Sequence, residues 1–254
     1  MTHRMSNEDP ESVANPAANP PGHQTSREIS GHPLIRSFVR REGRITHAQR
    51  RAIDELWPRY GLDIDGGFLD FREVFGRDAP RCLEIGFGNG EALASMSREH
   101  LGHDFLGADV YRPGIGSLLL KLEKSGLGNA RVFRDDAVAV LRQRIPDGSL
   151  SAVMLFFPDP WPKRRHHKRR ILQPDFAALV RRKLHPGGIF HMATDWQNYA
   201  EQMVEVMEQQ PKFLNVAGPG RFSEDHGWRP PTRFERRGLE LGHSVWDLIY
   251  QCQS

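Results

Sequence analysis

The feature that most constrains the fold is a short apolar segment, Arg81–Ile85, that runs directly into the glycine loop Gly86-Phe87-Gly88-Asn89-Gly90. A helical pattern over residues 91–100 follows the loop. Glycine lets the backbone approach a ligand closely, and the start of the next helix presents unpaired amide groups to it. This order of strand, glycine turn and helix is typical of nucleotide-binding units in α/β proteins.

Strand and helix patterns then alternate along the chain. Apolar strand patterns fall at 104–110, 130–134, 151–157 and 189–193, and helical patterns at 117–124, 137–145, 174–184 and 198–207. Past Pro211, strand patterns at 212–216 and 244–250 flank a long polar loop. The alternation predicts right-handed crossovers and an α/β fold with a doubly wound, mostly parallel sheet of seven strands. The last two strands are predicted to form an antiparallel hairpin.

The N-terminal region differs in composition from this core. Residues Met1–His32 are rich in Asn, Pro, Ser and Gly and carry almost no large apolar side chain, so we expect a disordered tail. Residues 33–254 are predicted to form a single domain, in which 33–62 make an N-terminal arm and helix. Thr46 and Gln49 have the spacing of a capping box at the start of that helix.

Composition limits the classes of protein. The hydrophobic fraction of 38% over 254 residues is enough for a real core, and the formal net charge is only +3. Cys82 and Cys252 are far apart and lie inside predicted strands, so neither a disulfide framework nor a structural metal site is expected. The first residues lack the apolar core of a signal peptide, and no apolar run is long enough to span a bilayer. We therefore expect a soluble cytoplasmic protein.

Acidic residues at the predicted strand ends indicate which ligand the glycine loop accepts. The dinucleotide fingerprint would place a third glycine at position 91, where Glu91 stands, which disfavours nicotinamide and flavin cofactors. Glu84, two residues before Gly86, would repel a pyrophosphate but suits the cationic amino-acid portion of S-adenosyl-L-methionine. Together with Gly86 and Gly88 it predicts one end of an S-adenosyl-L-methionine pocket.

Two further strand ends complete this predicted pocket. Asp109 can accept hydrogen bonds from both ribose hydroxyls, or it can cap a turn. Asp136 can accept from the exocyclic amine of adenine, although Asp135 could take that role, and either residue could instead cap the next helix. Asp136 is favoured because its neighbour on the helix side is Ala137. Three acids at three successive strand ends beside a glycine loop describe a single cofactor site.

The stretch Phe156–Arg170 joins a carboxylate, an aromatic ring and a cationic run. Prolines at 158, 160 and 162 stop the preceding strand, so Asp159 and Trp161 lie on a loop at the strand end, where active sites of parallel sheets occur. Every residue from Lys163 to Arg170 is basic or histidine, which indicates a polyanion partner, although a solvated loop is the alternative. Trp161 could stack on a base or pack into the core.

With these motifs, and with His191–Trp196 and Thr232-Arg233-Phe234-Glu235, the chain resembles the bacterial tRNA (guanine-N7-)-methyltransferase family from about Ile35 to Tyr250. The resemblance implies a Rossmann-like class I methyltransferase fold. It also implies transfer of a methyl group from S-adenosyl-L-methionine to N7 of a guanine in the tRNA variable region, typically position 46. The family more often carries glutamate at the position of Asp109, which shortens the predicted ribose contact by one methylene.

The resemblance also assigns roles to individual residues. It implies cofactor contacts at Glu84, Asp109, Asp136 and Asp159. It implies substrate contacts at Lys163, Asp195, Thr232, Arg233, Phe234 and Glu235. No obligatory protein partner is evident, and the chain is expected to act as a monomer or homodimer.

The chemistry then needs little more than positioning. Guanine N7 carries a lone pair at neutral pH, so no base is required to generate the nucleophile, and orientation should dominate the rate. Asp159 is the predicted catalytic residue, accepting from the guanine edge and offsetting the charge that develops on the ring. Contacts to RNA phosphates are predicted for Lys163, Arg164, Arg165, Lys168, Arg169 and Arg170.

Two other functions remain open on the sequence alone. One is an adenine-N6 nucleic-acid methyltransferase, because Asp159-Pro160-Trp161 loosely resembles the Asp/Asn-Pro-Pro-aromatic loop of those enzymes. The other is a non-catalytic RNA-binding module that keeps a methyltransferase fold. His166, His167, His191 and His243 lack partners at metal-ligand spacing, so no metal role is predicted for them.

Overall fold

A computed structural model describes residues 43–230 and 244–254. The predicted tail, most of the N-terminal arm and the run Thr232–Glu235 lie outside the described residues. Within the described part of the chain, no helix combines the length and apolar character needed to cross a membrane.

The described chain alternates helices and strands, as predicted. The helices are α1 His47–Tyr60, α2 Phe71–Phe75, α3 Glu91–Glu99, α4 Arg112–Lys124, α5 Ala137–Gln143, α6 Pro174–Lys183 and α7 Gln197–Glu208, with a 3-10 turn at Arg164–Arg169. The strands are β1 Gly61–Leu62, β2 Arg81–Ile85, β3 Asp104–Ala108, β4 Ala130–Phe133, β5 Leu150–Phe156, β6 Leu184–Thr194, β7 Phe213–Asn215 and β8 Trp246–Cys252.

All the strands belong to one sheet, in the order β1-β4-β3-β2-β5-β6-β8-β7. Neighbours from β1 to β6 run parallel, whereas β8 is antiparallel to both β6 and β7. The doubly wound sheet and the C-terminal hairpin are therefore confirmed. The strand order reverses between β2 and β5, and ligands bind at such switch points, beyond the carboxyl ends of the strands.

Several details differ from the prediction, among them the short helix α2, which was not predicted. The two-residue strand β1 is an eighth strand, too short to leave a pattern in the sequence. Pro58 does not end α1 but lies inside it, since the helix continues to Tyr60. The predicted capping box of Thr46 and Gln49 is present. Helix α4 begins at Arg112, five residues before the predicted start, because Pro113 is tolerated in the first turn of a helix.

Apolar side chains fill both faces of the sheet. One core cluster, which includes Phe176 and Tyr199, packs α5, α6 and α7 against one face. The other, which includes Phe105 and Leu118, packs α1, α3 and α4 against the opposite face. Cys82 and Cys252 lie in β2 and β8, and both thiols are free and buried. With both faces covered, the carboxyl edge of the sheet is left for a ligand.

Candidate active site

The glycine loop lies at the switch point, between β2 and α3. Gly86 and Gly88 adopt positive φ angles of 70° and 55°, and no other atom lies within 4 Å of the place where a side chain would begin. Gly90, also at positive φ, is the N-cap of α3. L-residues with side chains rarely adopt this backbone region, and a side chain would fill the open space. The loop therefore forms a concave backbone surface.

Asp109 ties this loop to the end of β3. One carboxylate oxygen, Oδ2, accepts from the Gly88 amide at 2.8 Å, and Oδ1 accepts from the Tyr111 amide at 2.8 Å. Burial raises the pKa of Asp109 despite these hydrogen bonds. The structure thus shows the turn-capping role that the sequence left open, at the position where the ribose contact is predicted.

Glu84 lies in the centre of the sheet, between Gly107 of β3 and Met154 of β5. Its side chain is only 3% exposed, and its Oε2 has no hydrogen-bond partner among the described residues. Burial raises the pKa of Glu84 to about 8, and the nearby negative charge of Asp109 contributes. A buried carboxylate without a partner is unfavourable unless a ligand supplies one, and a cationic ligand would do so.

Asp136 caps α5 at the end of β4. Its Oδ1 accepts from the amides of Val138 at 2.9 Å and Ala139 at 3.1 Å. This is the helix-cap role that the sequence allowed. The neighbouring Asp135 is half-buried, and burial raises its pKa. An adenine contact by either acid remains a prediction.

The loop after β5 brings Asp159 close to these groups. The carboxylate of Asp159 is exposed, and its negative charge adds to the burial that raises the pKa of Asp109 and of Tyr199. Phe157 and Trp161 on either side of it have positive φ angles of 50° and 45°, which is unusual outside glycine and typical of functional loops. Asp195 is half-exposed and follows β6, the next strand of the sheet.

The basic run forms a 3-10 turn rather than an unstructured loop. Lys163, Arg164, Arg165 and Lys168 are exposed, and Arg169 is half-exposed. The guanidinium carbon of Arg169 lies 5.0 Å from the centre of the Trp161 ring, and the His166 ring contacts that ring edge-on at 5.8 Å. Trp161 therefore packs against the basic turn. The predicted phosphate contacts of the exposed cations remain predictions.

The assignment of Arg170 to the RNA backbone is wrong, because this side chain is only 1% exposed. Its Nε donates to the Pro160 carbonyl at 2.8 Å and its Nη2 to Asn198 Oδ1 at 2.9 Å, while Nη1 donates to Gln202 Oε1. A guanidinium with its donors used inside the protein cannot also hold a phosphate.

A second polar cluster, which we term the Asp247 cluster, was not predicted. It consists of Asp247, His191, His226 and Arg229. Asp247 accepts from His191 Nε2 at 2.8 Å, from His226 Nδ1 at 2.9 Å, and from Arg229 Nε and Nη2 at 2.9 and 2.7 Å. These hydrogen bonds hold the pKa of Asp247 well below its usual range, even though burial alone would raise it. The sequence feature that could have indicated this cluster is Asp247 itself, a charged residue inside the apolar run 244–250.

The Asp247 cluster packs beside the candidate site. Arg229 lies 5.5 Å above the Phe157 ring, and His191 contacts Phe156 edge-on at 5.0 Å. Across the described ranges, no three His, Cys, Asp or Glu side chains are grouped as metal ligands.

The glycine loop at the switch point, with acids at the ends of β2, β3, β4 and β5, defines a Rossmann-like methyltransferase of class I. Residues 78–248 match the family described as "Putative methyltransferase". The fold is similar to the crystal structure of the 16S rRNA methyltransferase KamB, with a TM-score of 0.55 and 15% identity, over 74% of this chain and 96% of that one.

Closer relatives identify the family more narrowly. The tRNA (guanine-N(7)-)-methyltransferase of Alcanivorax borkumensis is 58% identical over 217 residues, which is 85% of this chain and 91% of the relative. The enzyme of the same name from Stutzerimonas stutzeri is 51% identical over 237 residues, 93% of this chain and 97% of the relative. The chain belongs to the tRNA (guanine-N(7)-)-methyltransferase family.

Proposed function

We propose that this enzyme transfers the methyl group of S-adenosyl-L-methionine to N7 of a guanine in tRNA, at position 46 of the variable loop. The observation that carries the substrate assignment is the 58% identity, over 85% of the chain, to a relative named for this reaction. A tRNA substrate also supports a cytoplasmic location.

The residues present fit this cofactor. The concave surface at Gly86 and Gly88 leaves room for backbone contact with a ligand, and the unpartnered Oε2 of Glu84 would accept from a cationic amino group. Asp109 and Asp136 would supply further acceptors at the next two strand ends. When bound, S-adenosyl-L-methionine supplies an electrophilic methyl group on a sulfonium.

Asp159 is the catalytic residue of this proposal. It is exposed on the loop after β5, within electrostatic range of Asp109, and its carboxylate can accept from N1–H or the amino group of a guanine. Because guanine N7 carries no proton, Asp159 does not act as a base toward the nucleophile. It orients the ring and stabilises the positive charge that develops on it.

Lys163, Arg164, Arg165, Lys168 and Arg169 would then hold the RNA backbone through their exposed charges. Asp195 at the end of β6, with the run Thr232–Glu235, would contact the guanine or its neighbours. The acidic residues thus serve the base and the cofactor, and the basic turn serves the phosphates.

The test is incubation of the purified protein with S-adenosyl-L-methionine and unmodified tRNA, followed by nucleoside analysis. We expect N7-methylguanosine from the wild type and a loss of about 100-fold or more in turnover for Asp159→Ala, with cofactor binding by calorimetry unchanged. Glu99→Gln, on the exposed surface of α3, is the matched control and should keep full turnover. N6-methyladenosine, or no methylated base, would overturn the proposal.

A further inference from the structure

Arg170 has an unusual environment for the last member of a basic run. The central carbon of its guanidinium lies over the Tyr199 ring, 4.6 Å from the ring centre. The Tyr199 ring is itself fully buried, and its hydroxyl accepts from the Leu172 amide at 3.3 Å. This contact and the hydrogen bonds from Nε, Nη1 and Nη2 hold the planar guanidinium in one orientation.

The partners of Arg170 belong to two different segments, the loop after β5 and helix α7. Pro160, whose carbonyl accepts from Nε, directly follows Asp159. Asn198 and Gln202 lie in the first two turns of α7, the helix that begins just after Asp195. One side chain therefore connects the loop that carries Asp159 with the helix that follows Asp195.

The two segments follow adjacent strands, but the strand hydrogen bonds end before them. The β5–β6 register extends to Phe156 paired with Ala193, and the last backbone link is the Phe157 amide to the Ala193 carbonyl at 2.8 Å. Beyond that point, the Arg170 side chain joins the Pro160 peptide to α7 by donating hydrogen bonds to both. Without it, the hydrogen bonds that join the Pro160 peptide to α7 are lost.

We propose that Arg170 is a positioning residue, which fixes Asp159 relative to Asp195 by holding the Pro160 carbonyl against α7. This inference rests on the proposed function, since it gives both carboxylates a role in the reaction. Arg170 acts through the Pro160 peptide and touches neither RNA nor cofactor. The adjacent Arg169 differs, because its side chain is half-exposed and lies over the Trp161 ring, where it can reach RNA.

The decisive variant is Arg170→Lys, which keeps a positive charge but loses the planar fork that bonds Pro160 and Asn198 together. We expect kcat to fall by about tenfold or more, because small displacements of a catalytic group have large effects on rate. The KM for tRNA, the cofactor Kd and the salt dependence of tRNA binding should stay at wild-type values. Arg169→Ala, at a residue proposed to hold the RNA backbone, should instead reduce the salt slope of tRNA binding by about 0.7 to 0.9.

Arg77→Lys is the matched control for a purely structural effect. Arg77 pairs with the buried Asp104, at the amino end of β3 and away from the candidate site. This variant should lower the unfolding temperature without changing kcat. If Arg170→Lys behaves in the same way, or loses salt slope as Arg169→Ala does, the positioning role is wrong.

Two further measurements keep the inference testable. If Arg170→Lys does not fold, Asn198→Ala removes one hydrogen bond from an exposed residue, and an unchanged kcat in that variant would contradict the proposal. Hydrogen exchange at the Asp159 and Trp161 amides should accelerate in the Arg170 variant and not in the Arg77 variant. The exchange rates do not depend on activity. If the wild type makes no N7-methylguanosine, the proposed function is wrong. The exchange rates of the Arg170 variant then still decide whether Arg170 holds the Asp159 loop.

Discussion

Two carboxylates are buried in strands of the same sheet, and their surroundings are opposite. Asp247 is 1% exposed and accepts four hydrogen bonds from three side chains, and these hold its pKa well below the usual range. Glu84 is 3% exposed, has an oxygen without a partner, and has its pKa raised to about 8, chiefly by burial. Equal burial therefore gives two chemically different groups.

The difference separates a structural role from a binding role. The partners of Asp247 are His191 of β6 and two residues of the preceding loop, His226 and Arg229. The charge of Asp247 therefore holds that loop against the sheet. Glu84 lies two residues before Gly86, and its Oε2 has no hydrogen-bond partner in the part of the chain that the structure describes. A buried acid that the protein itself satisfies stabilises the fold, whereas one that it leaves unsatisfied is available to a ligand.

The largest expected effect is on stability, from Asp247→Ala. The change removes the carboxylate that pairs with the buried Arg229, and breaking a buried ion pair in this way lowers the free energy of unfolding by about 3–5 kcal/mol. Denaturant unfolding measures the loss. Asp78→Ala, which removes an exposed carboxylate paired with Arg72 and Arg81, is the control and should shift stability far less. Equal shifts in the two variants would contradict the contrast.

The next effect is on ligand binding, from Glu84→Gln. We expect the affinity for S-adenosyl-L-methionine to fall by about tenfold or more, since a charge-assisted hydrogen bond becomes a neutral one. The apo protein should not lose stability, because the substitution removes an unpaired buried acid. Calorimetric titration, with thermal unfolding alongside, tests both statements. A variant that binds the cofactor as tightly as wild type would remove Glu84 from the site.

The pKa of Glu84 also predicts how stability depends on pH. Between its ordinary pKa of 4.5 and about 8, Glu84 is ionised in the unfolded chain and protonated in the folded apo protein, so the folded state binds more protons. The free energy of unfolding therefore falls as pH rises through this range, by at most about 1.4 kcal/mol per pH unit. Unfolding across this range should show a steeper decline for wild type than for Glu84→Gln. Parallel curves would be the contrary result.

The smallest effect concerns the exposed member of the Asp247 cluster. His226 is 56% exposed at its side chain, and His226→Gln removes one of four hydrogen bonds to Asp247. We expect a loss of less than about 1 kcal/mol, because solvent screens the interaction and Arg229 remains in place. Chemical unfolding beside the Asp247→Ala variant gives the ratio. A loss as large as that of Asp247→Ala would mean that His226, not Arg229, supports the buried charge.

The sequence predicted the fold well because its signals are local. The glycine loop after β2, the capping box at Thr46 and the prolines after β5 each specify a backbone conformation from neighbouring residues alone. The alternation of patterns then leaves few topologies for a parallel sheet. The two-residue β1 was missed because its pairing with β4 depends on tertiary contact rather than on pattern.

The sequence was less informative about which charged residues are free. Arg169 and Arg170 are identical and adjacent, yet one lies over Trp161 on the turn and the other is enclosed by α7. That difference depends on residues nearly 30 positions away, which spacing does not reveal. The Asp247 cluster likewise joins two strands and a loop, and only the folded chain brings its members together.

The positive φ angles at Phe157 and Trp161 have a consequence for RNA recognition. Pro158 and Pro160 fix two of the φ torsions between Phe157 and Trp161, and Pro162 fixes the φ torsion just after them, so the loop that carries Asp159 has few conformations open to it. The conformational entropy of that loop is therefore lost when the protein folds, before any RNA arrives. Binding of a guanine then requires little further ordering of this loop, so less of the binding free energy is spent on it.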